Sequence, residues 1–322
     1  MRIAVADVLS NSYFPVLAAK ELGFFDREGL DIDIELMSPA DQAYRAMQDG
    51  VVDFVGAEAH AALAVFPGWR GVKLLCAQSQ GMYWFVVMRA SLKAKRGDVG
   101  VVRGCRIGAA PWVELGLRQL LLESGIDPAR DGVVIAPIPG SLALRVNTGV
   151  TAAAALEQGV IDGFWANGMG AEIAVRRGVG TVVLDVRRGD GPKGCFHYTF
   201  PALAATDRLI ESRPDAVAGV VRAIAAVQVA LRTDPSLAEQ IGRRIFPPQE
   251  ASLIAGLIAR DAPFYYSQIS QTAVEGLNRF ARATRLLEEA PSYTDVVAVR
   301  FSPLWHCPPG APGADASSKA AL

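Results

Sequence analysis

The sequence predicts an α/β protein made of two similar lobes with mostly parallel sheets, joined by a hinge. Three observations predict this class: a phrase that occurs twice, an alternation of strand-like and helix-like segments, and a length of 322 residues. That length is about twice the usual domain size of ~150 residues, so each lobe can bury a core of its own. The repeat period is too long for a solenoid, which favours two lobes over an array.

The repeated phrase is Met47–Phe54 (MQDGVVDF), and it recurs as Leu156–Phe164 (LEQGVIDGF). In each copy a helical segment ends at a glycine, because a left-handed position after a helix favours a residue without Cβ. Branched apolar residues follow at once, and they predict a buried strand. The upstream segments match too, since each opens with a strand, at Arg2 and at Arg106, and continues with an apolar-periodic helix.

The first lobe alternates strand and helix, which favours βαβ units and a mostly parallel sheet. The predicted elements are a strand at 2–8, a helix at 14–22, a strand at 31–36, a helix at 41–49 and a strand at 51–55. Pro15 near the start of the first helix costs no hydrogen bond, and Asn11 or Ser12 is expected to cap that helix. The apolar run Tyr83–Met88 predicts a strand that leaves the first lobe.

The second lobe is expected to run from Cys105 to about Asp190, and Cys195–Ala205 is expected to be a returning strand. Apolar residues three or four apart predict a long helix from Pro214, and further helices are expected at 235–244, 249–260 and 270–289. These helices are expected to complete the first lobe. The predicted domains are lobe 1 at 1–90 plus 196–306, lobe 2 at 91–195, and a disordered tail at 307–322 that is rich in Pro, Gly, Ala and Ser.

Composition excludes several functional classes. Lys+Arg number 32 and Asp+Glu number 33, a formal net charge of -1, so no nucleic-acid partner is expected. A bilayer span needs about 20 consecutive apolar residues, and every long apolar run is interrupted earlier, so no direct membrane insertion is expected. No secretory signal is visible. The expected location is periplasmic if an export signal has been removed from this sequence, and cytoplasmic if Met1 is the native start.

Neither the cysteines nor the histidines form a recognised cluster. They are Cys76, Cys105, Cys195 and Cys307, and His60, His197 and His306. The cysteines form no C-x-x-C pair and are interpreted as buried thiols, and no metal site is expected. The motifs G-x-S-x-G, G-x-x-x-x-G-K-[ST] and H-E-x-x-H do not occur, and no cofactor is expected. Gly163–Gly170 is glycine-rich without the spacing of a dinucleotide site, and is interpreted as a loop.

The segment Ala18–Leu30 (AAKELGFFDREGL), with the two Gly-Val-Val/Ile-Asp phrases, resembles the type II periplasmic (solute) binding proteins. The most similar group holds the binding components of ABC importers for nitrate, sulfonates, taurine and thiamine-pyrimidine precursors, together with the thiamine pyrimidine synthase of fungi. The resemblance covers about residues 2–290. It implies two Rossmann-like lobes that close on a small molecule, ligand contacts from the loops after the strands, and an ABC permease as a candidate partner.

Small ligands of open α/β sheets sit beyond the carboxyl ends of strands, where helix N-termini offer unpaired N–H groups. The candidate ligand-binding residues expected in such loops are Ser10, Asn11, Tyr13, Asp41, Glu58, His60, Ser79, Trp112, Glu114, Trp165, Asn167, Cys195 and His197. The aromatic rings, with those of Phe164 and Phe196, favour a planar ligand. The alternative, that the rings belong to the core and that Glu58 and Glu114 are solvated surface carboxylates, stays open.

The charge of these loops favours a ligand with N–H donors over a strong anion. The candidate loops contain three acidic residues, Asp41, Glu58 and Glu114, and one basic residue, Lys193. An oxyanion site normally presents arginine or several N–H groups. A pyrimidine, a related heterocycle or an amine fits this composition. The sequence therefore predicts a solute-binding protein that clamps a small, planar or N–H-bearing heteroaromatic molecule between its lobes.

A second function stays open, a cytoplasmic enzyme on the same fold, either thiamine-pyrimidine-synthase-like or a decarboxylase of a heteroaromatic acid. By the resemblance, His60 lies near a functional histidine of the synthase, and Gly194–His197 lies where that enzyme has a run of cysteines, reduced here to Cys195. No lysine near Gly56–Glu58 could hold pyridoxal phosphate, so the synthase reaction itself is not expected. His60, Glu58 or Cys195 would serve as acid, base or nucleophile. The binding function is preferred, because no nucleophile paired with a base can be identified from the spacing.

Overall fold

The computed structural model describes residues 1–141 and 148–306. The chain divides into two compact units. Unit 1 comprises, within the described part of the chain, residues 1–80, 200–275 and 289–306, and unit 2 comprises residues 81–199 and 276–288. The predicted disordered tail at 307–322 lies outside the described residues.

Ten strands and twelve α-helices occur in the described residues. The strands are β1 (Arg2–Val5), β2 (Asp33–Leu36), β3 (Phe54–Glu58), β4 (Val72–Ala77), β5 (Phe85–Arg89), β6 (Arg106–Ala109), β7 (Val134–Ala136), β8 (Gly163–Ala166), β9 (Gly180–Asp185) and β10 (Pro201–Thr206). The helices are α1 (Phe14–Glu21), α2 (Phe24–Arg27), α3 (Ala40–Gln48), α4 (Val113–Glu123), α5 (Thr148–Glu157), α6 (Gly168–Arg176), α7 (Asp207–Ser212), α8 (Pro214–Thr233), α9 (Leu237–Ile245), α10 (Pro248–Asp261), α11 (Gln271–Ala283) and α12 (Tyr293–Val296).

Each unit holds one five-stranded sheet, and the two sheets have the same plan. The order in unit 1 is β2-β1-β3-β10-β4, and the order in unit 2 is β7-β6-β8-β5-β9. In each sheet only the fourth strand, β10 or β5, runs antiparallel to its neighbours. The predicted class, two α/β lobes with mostly parallel sheets, is confirmed.

The aspartate of the repeated phrase has the same structural task in both units. The backbone N–H of Arg2 donates to Asp53 Oδ2 at 2.8 Å, and the N–H of Asp53 donates to the Arg2 carbonyl at 2.9 Å. In unit 2 the same exchange joins Arg106 and Asp162, at 2.9 and 2.8 Å. Each aspartate therefore joins the start of one parallel strand to the start of the next, which explains why the phrase occurs twice.

The helix ends of the repeated phrase are confirmed, but its strand starts later than predicted. Helices α3 and α5 are followed by Gly50 and Gly159 with φ of +75° and +70°, values that favour glycine. The strand predicted at 51–55 begins only at Phe54. The preceding residues turn so that Asp53 can reach Arg2, and Val51 is 43% exposed.

Further element boundaries differ from the predictions. The first strand, predicted at 2–8, ends at Val5. Tyr13 occupies the N-cap of α1, in place of Asn11 or Ser12, and makes no side-chain cap bond, whereas Pro15 lies in the first turn as predicted. The returning strand begins at Pro201, because Cys195–His197 forms a 3-10 helix. The helix predicted at 270–289 ends at Ala283.

The units change at residues 80, 199, 275 and 288, whereas the predicted lobes change at 90 and 195. The C-terminal half of α11 therefore lies in unit 2, although the sequence assigned all late helices to the first lobe. A physical reason is the close approach of Gly276 to the backbone of His197, where a Cβ on the glycine would lie 2.3 Å from the His197 Cβ. Only glycine permits this contact.

Helix α8 forms the centre of the unit 1 core. Its predicted apolar stripe is confirmed, since Val217, Val220, Val221, Ile224, Val227 and Leu231 are fully buried. By length and composition alone α8 could cross a membrane, but 61% of its apolar window is buried inside the protein, as in a core helix. Cys76, Cys105 and Cys195 are buried thiols, as predicted, and Cys307 lies outside the described residues.

Candidate functional site

Seven candidate residues of unit 1 follow the carboxyl ends of its four parallel strands. They are Ser10, Asn11 and Tyr13 after β1, Asp41 after β2, Glu58 and His60 at the end of β3, and Ser79 after β4. Parallel strands end at the same edge of a sheet, so the fold brings these loops to one edge. We call the segments 6–13, 37–42, 58–61 and 78–80 the acceptor edge.

Glu58, the last residue of β3, is buried, so the interpretation of this side chain as a solvated surface carboxylate is wrong. The Tyr13 hydroxyl donates to Glu58 Oε2 at 2.6 Å, and the Tyr44 hydroxyl donates to the Glu58 carbonyl at 3.5 Å. Burial raises the pKa of Glu58, and the nearby carboxylates of Asp7 and Asp41 raise it further, while the Tyr13 hydrogen bond opposes them. Glu58 is therefore biased toward its protonated form.

Asn11 is held from two sides. Its Nδ2 donates to the carboxylate of Asp261 at the end of α10, and the Tyr265 hydroxyl donates to its backbone carbonyl. The Asn11 amide therefore presents its Nδ2 to Asp261. Asn11 Oδ1 is buried and has no hydrogen-bond partner within residues 1–141 and 148–306.

Gln78, which directly follows β4, presents a second buried acceptor. Its Nε2 donates to the Ala202 carbonyl at 3.2 Å, and its Oε1 has no partner in the described part of the chain. Gln228 of α8 holds the backbone here, since its Nε2 donates to the carbonyls of Ala77 and Gln78 at 3.0 and 2.8 Å. The backbone at the carboxyl end of β4 is therefore held in place by Gln228. The side-chain Oε1 of Gln78 is left without a hydrogen-bond partner in the described part of the chain.

Sequence reasoning missed Gln78 and Asp261. Gln78 immediately precedes the candidate Ser79, so a wider loop would have included it. Asp261 had no local signal, because its partner Asn11 lies 250 residues away in the chain.

The acceptor edge is acidic. Asp7, Asp41 and Glu58 occur in its four segments, and these segments contain no lysine or arginine. Asp41 occupies the first turn of α3, where the helix dipole favours a negative charge, and pairs with Arg45 at 3.5 Å. The positive end of that helix is therefore already matched by a carboxylate, which leaves less attraction for an oxyanion.

The remaining candidates of the acceptor edge are buried. His60 lies in the 3-10 helix Ala59–Ala64 and Ser79 follows β4, and both are fully buried. Ser10 Oγ accepts from the Ser12 N–H at 3.3 Å. In the described residues no group of three or more His, Cys, Asp or Glu side chains could hold a metal ion.

In unit 2, Trp112 and Glu114 begin α4. Trp112 is the N-cap residue with φ of +69°, a conformation that is rare for a bulky side chain and that recurs at functional sites. Glu114 pairs with Arg118, one turn along the helix, at 2.9 and 3.2 Å, and both side chains are partly exposed. Glu114 thus fits the surface interpretation.

Trp165 and Asn167 do not lie in a glycine-rich loop, because Gly163–Gly170 forms strand β8, a cap and the start of α6. Trp165 is fully buried within β8, donates its Nε1–H to the Val113 carbonyl at 2.9 Å and packs against Trp84. Asn167 Oδ1 caps α6 by accepting from the N–H groups of Met169 and Gly170. The core interpretation therefore fits Trp165, and Phe164 is fully buried as well.

Cys195 and His197 lie in the 3-10 helix before β10. Burial, with the nearby carboxylate of Glu123, raises the pKa of the Cys195 thiol to about 12. Burial and then the charge of Arg279 lower the pKa of His197. The thiolate is the nucleophilic form of cysteine, so Cys195 is a poor nucleophile at neutral pH.

Sequence reasoning also missed Arg187, which follows β9 and is only 4% exposed. Its guanidinium lies 5.6 Å from the centroid of the Tyr83 ring and donates to the Gly81 carbonyl at 3.5 Å. The sequence feature that could have indicated Arg187 is the pair Arg187-Arg188, which begins two residues after the end of the parallel strand β9. The loops that follow the strands of unit 2 therefore contain a basic residue besides Lys193, and this one is buried.

Comparisons with known proteins support the fold. The sequence model of the family described as "NMT1/THI5 like" matches residues 10–78. The nitrate-binding protein NrtA from Synechocystis PCC 6803 has a TM-score of 0.72 at 12% identity, over 94% of this chain and 86% of that chain. The chain has the fold of periplasmic binding proteins. The resemblance and the fold class predicted from the sequence are confirmed.

Two other structures with this binding-protein fold are similar. The aliphatic sulphonate-binding protein SsuA from Escherichia coli has a TM-score of 0.66 at 14% identity, over 92% of this chain and 91% of that chain. A complex of the desulfurization enzyme DSZB with biphenyl-2-sulfinic acid has a TM-score of 0.64 at 16% identity, over 93% and 97%. No curated protein sequence matches the chain. The family match at residues 10–78 includes most of the acceptor edge.

Proposed function

We propose that the chain is a solute-binding protein whose acceptor edge recognises a small planar heterocycle rich in N–H donors, such as a pyrimidine. One observation carries the proposal: Asn11 Oδ1 and Gln78 Oε1 are buried acceptors without a partner in the described residues, and they occur at the same edge of the sheet as the buried carboxyl of Glu58. Delivery to an ABC permease from the periplasm is part of the proposal and is supported by the similarity to binding proteins of that kind.

The energetics favour a donor ligand. A buried acceptor without a partner costs about 1–3 kcal/mol, and a ligand N–H that reaches it recovers much of that free energy. A ligand without donors leaves the cost in place, which discriminates strongly between otherwise similar molecules. An oxyanion at the acceptor edge would be disfavoured, because Asp7, Asp41 and Glu58 present negative charges or acceptor lone pairs there.

The nitrate and sulphonate ligands of the similar structures therefore do not transfer to this chain. Identity to those proteins is 12% and 14%, a range in which the fold persists while the loops differ. The predicted clamping of the ligand between the two lobes stays a prediction.

A thermal-shift screen tests the proposal, because a ligand that binds the folded state raises the melting temperature by mass action. The panel is cytosine and other nucleobases, aromatic acids, taurine and nitrate. We expect an N–H-bearing heterocycle to raise the melting temperature, and Gln78→Ala to reduce that shift. Gln240→Ala, which removes an exposed glutamine of α9, is the matched control. A shift with taurine or nitrate alone would overturn the proposal.

The enzymatic alternative, thiamine-pyrimidine-synthase-like or a decarboxylase of a heteroaromatic acid, retains one supporting observation. The Glu58 carboxyl has a raised pKa and accepts from the Tyr13 hydroxyl, an arrangement suited to general acid–base catalysis. The similarity to DSZB shows that an enzyme can have this fold. Mass spectrometry of the screened hit after incubation decides between the functions, since a product that requires Glu58 would establish the enzyme.

A further inference from the structure

Unit 1 contains a cavity of about 150 Å³ that none of the candidate ligand residues lines. Helix α8 forms one side, and residues 266–267 and 305–306 form the others. The lining residues that matter here are Gln228, Arg232, Tyr266, Ser267, Trp305 and His306. We propose that this cavity binds a small anion, a carboxylate or an inorganic oxyanion, through Arg232.

Arg232 brings a positive charge to the cavity without a carboxylate to balance it. Its guanidinium donates to the Tyr265 carbonyl and lies 4.3 Å from the centroid of the Tyr266 ring. Burial lowers its pKa, and across the described ranges no Asp or Glu forms an ion pair with it. Arg222, on the same helix, bonds to Glu28 at 2.6 and 2.8 Å. A partly desolvated charge is costly unless an opposite charge balances it, and a bound anion would supply that charge.

The neutral polar groups of the cavity point to the same class of ligand. The Nε2 protons of Gln228 are committed to two backbone carbonyls, and its Oε1 accepts from the Ser267 hydroxyl. The groups that remain to meet a ligand are the guanidinium of Arg232, the half-exposed Tyr266 and the imidazole of His306. All three can donate hydrogen bonds, and anions accept them.

The walls set the size of the ligand. Trp305 is fixed as an apolar wall, because its Nε1–H donates to the Leu75 carbonyl at 2.8 Å. A volume of about 150 Å³ has room for several water molecules and therefore for a small ligand. Phosphate, sulfate or a short carboxylate such as acetate fits this space.

Titration with inorganic phosphate, sulfate and acetate tests the proposal, with chloride at equal ionic strength as the reference. We expect a saturable rise in melting temperature for the wild-type protein and heat of binding in titration calorimetry. Arg232→Gln should weaken the binding at least tenfold, and Arg232→Lys should weaken it less, because lysine keeps the charge but loses the planar fork. Arg222→Gln is the matched control, since it removes one positive charge from the same helix and should leave anion binding unchanged.

The anion titrations need no ligand at the acceptor edge, so this proposal can fail or hold independently of the proposed function. Equal anion affinity in wild-type protein and Arg232→Gln would overturn the proposal, as would a response that never saturates or that chloride reproduces. Arg232→Lys guards against a merely structural effect of Arg232, because it keeps the charge and can still donate to the Tyr265 carbonyl. Anion binding that is weaker in Arg232→Gln than in Arg232→Lys, while the two variants without anion melt at similar temperatures, supports the assignment.

Discussion

The carboxyl ends of the parallel strands differ in chemistry between the two units, although the sheets share one strand order. In unit 1 these ends carry Glu58, Asn11 and Gln78, all buried and all able to accept hydrogen bonds. In unit 2 they carry the strained Trp112 and the buried guanidinium of Arg187. The common plan thus determines where loops meet, whereas the loop residues determine what they can bind.

The repeated aspartates show the same divergence on a smaller scale. Asp53 accepts from the backbone of Arg2, and Asp162 accepts in addition from the side chain of Arg106 at 3.0 Å and pairs with Arg89 at 3.3 Å. The aspartate that joins two strand starts is therefore held by two arginine side chains in unit 2, in addition to the backbone hydrogen bond. Substitutions in each unit test this divergence.

The largest effect is expected from Trp165→Ala in unit 2. Removing a fully buried indole from β8 should cost about 3–5 kcal/mol of unfolding free energy, because a cavity remains in the core. Trp112→Ala should cost less, since Trp112 is partly exposed. Urea unfolding of both variants measures the difference, and equal losses would contradict the assignment of Trp165 to the core.

Asp162→Ala should cost about 2–3 kcal/mol at neutral pH, and Asp53→Ala about 1 kcal/mol, because hydrogen bonds to a charged partner are worth more. The Arg106 hydrogen bonds hold the pKa of Asp162 below its usual value. Its stabilising contribution is therefore complete above the unfolded-state pKa and is lost as the pH falls through the folded-state pKa. Unfolding measured at pH 7 and in acid checks this, and a cost that does not shrink in acid would refute it.

Glu58→Gln should become more stable relative to wild type as the pH rises. The pKa of Glu58 is raised in the folded state, so its contribution is full below the unfolded-state pKa and is lost as the pH rises through the folded-state pKa. The relative gain is about 1.4 kcal/mol for each unit by which the pKa is raised. Chemical unfolding of both proteins at acidic and alkaline pH measures the gain, and a difference independent of pH would show that Glu58 is not held in its neutral form.

The smallest effect is expected from Glu114→Gln in unit 2. Its pair with Arg118 is partly exposed, and pairs of this kind contribute at most about 0.5 kcal/mol. Unfolding at low and high salt should show a small loss that salt removes. A loss as large as that expected for Asp162→Ala would contradict the assignment of Glu114 to an exposed surface pair.

The repeat, the apolar stripe of α8 and the glycine stops predicted the fold, because periodicity and backbone sterics act locally. Burial of Glu58 could not be predicted, since it depends on packing by Tyr13 and Tyr44. The Asn11–Asp261 bond joins segments far apart in the chain, and no local pattern encodes it. Tertiary contacts also decided that α11 continues into unit 2.

Titration calorimetry with cytosine and with taurine, on wild-type protein and on Asn11→Ala, decides which class of ligand the acceptor edge binds. Cytosine offers ring and amino N–H donors, and taurine offers a sulfonate. We expect heat of binding for cytosine or a close heterocycle, with affinity at least tenfold weaker in Asn11→Ala, which corresponds to about 1.4 kcal/mol of lost hydrogen bonding. Taurine binding that Asn11→Ala leaves unchanged, without binding of any heterocycle, would contradict it.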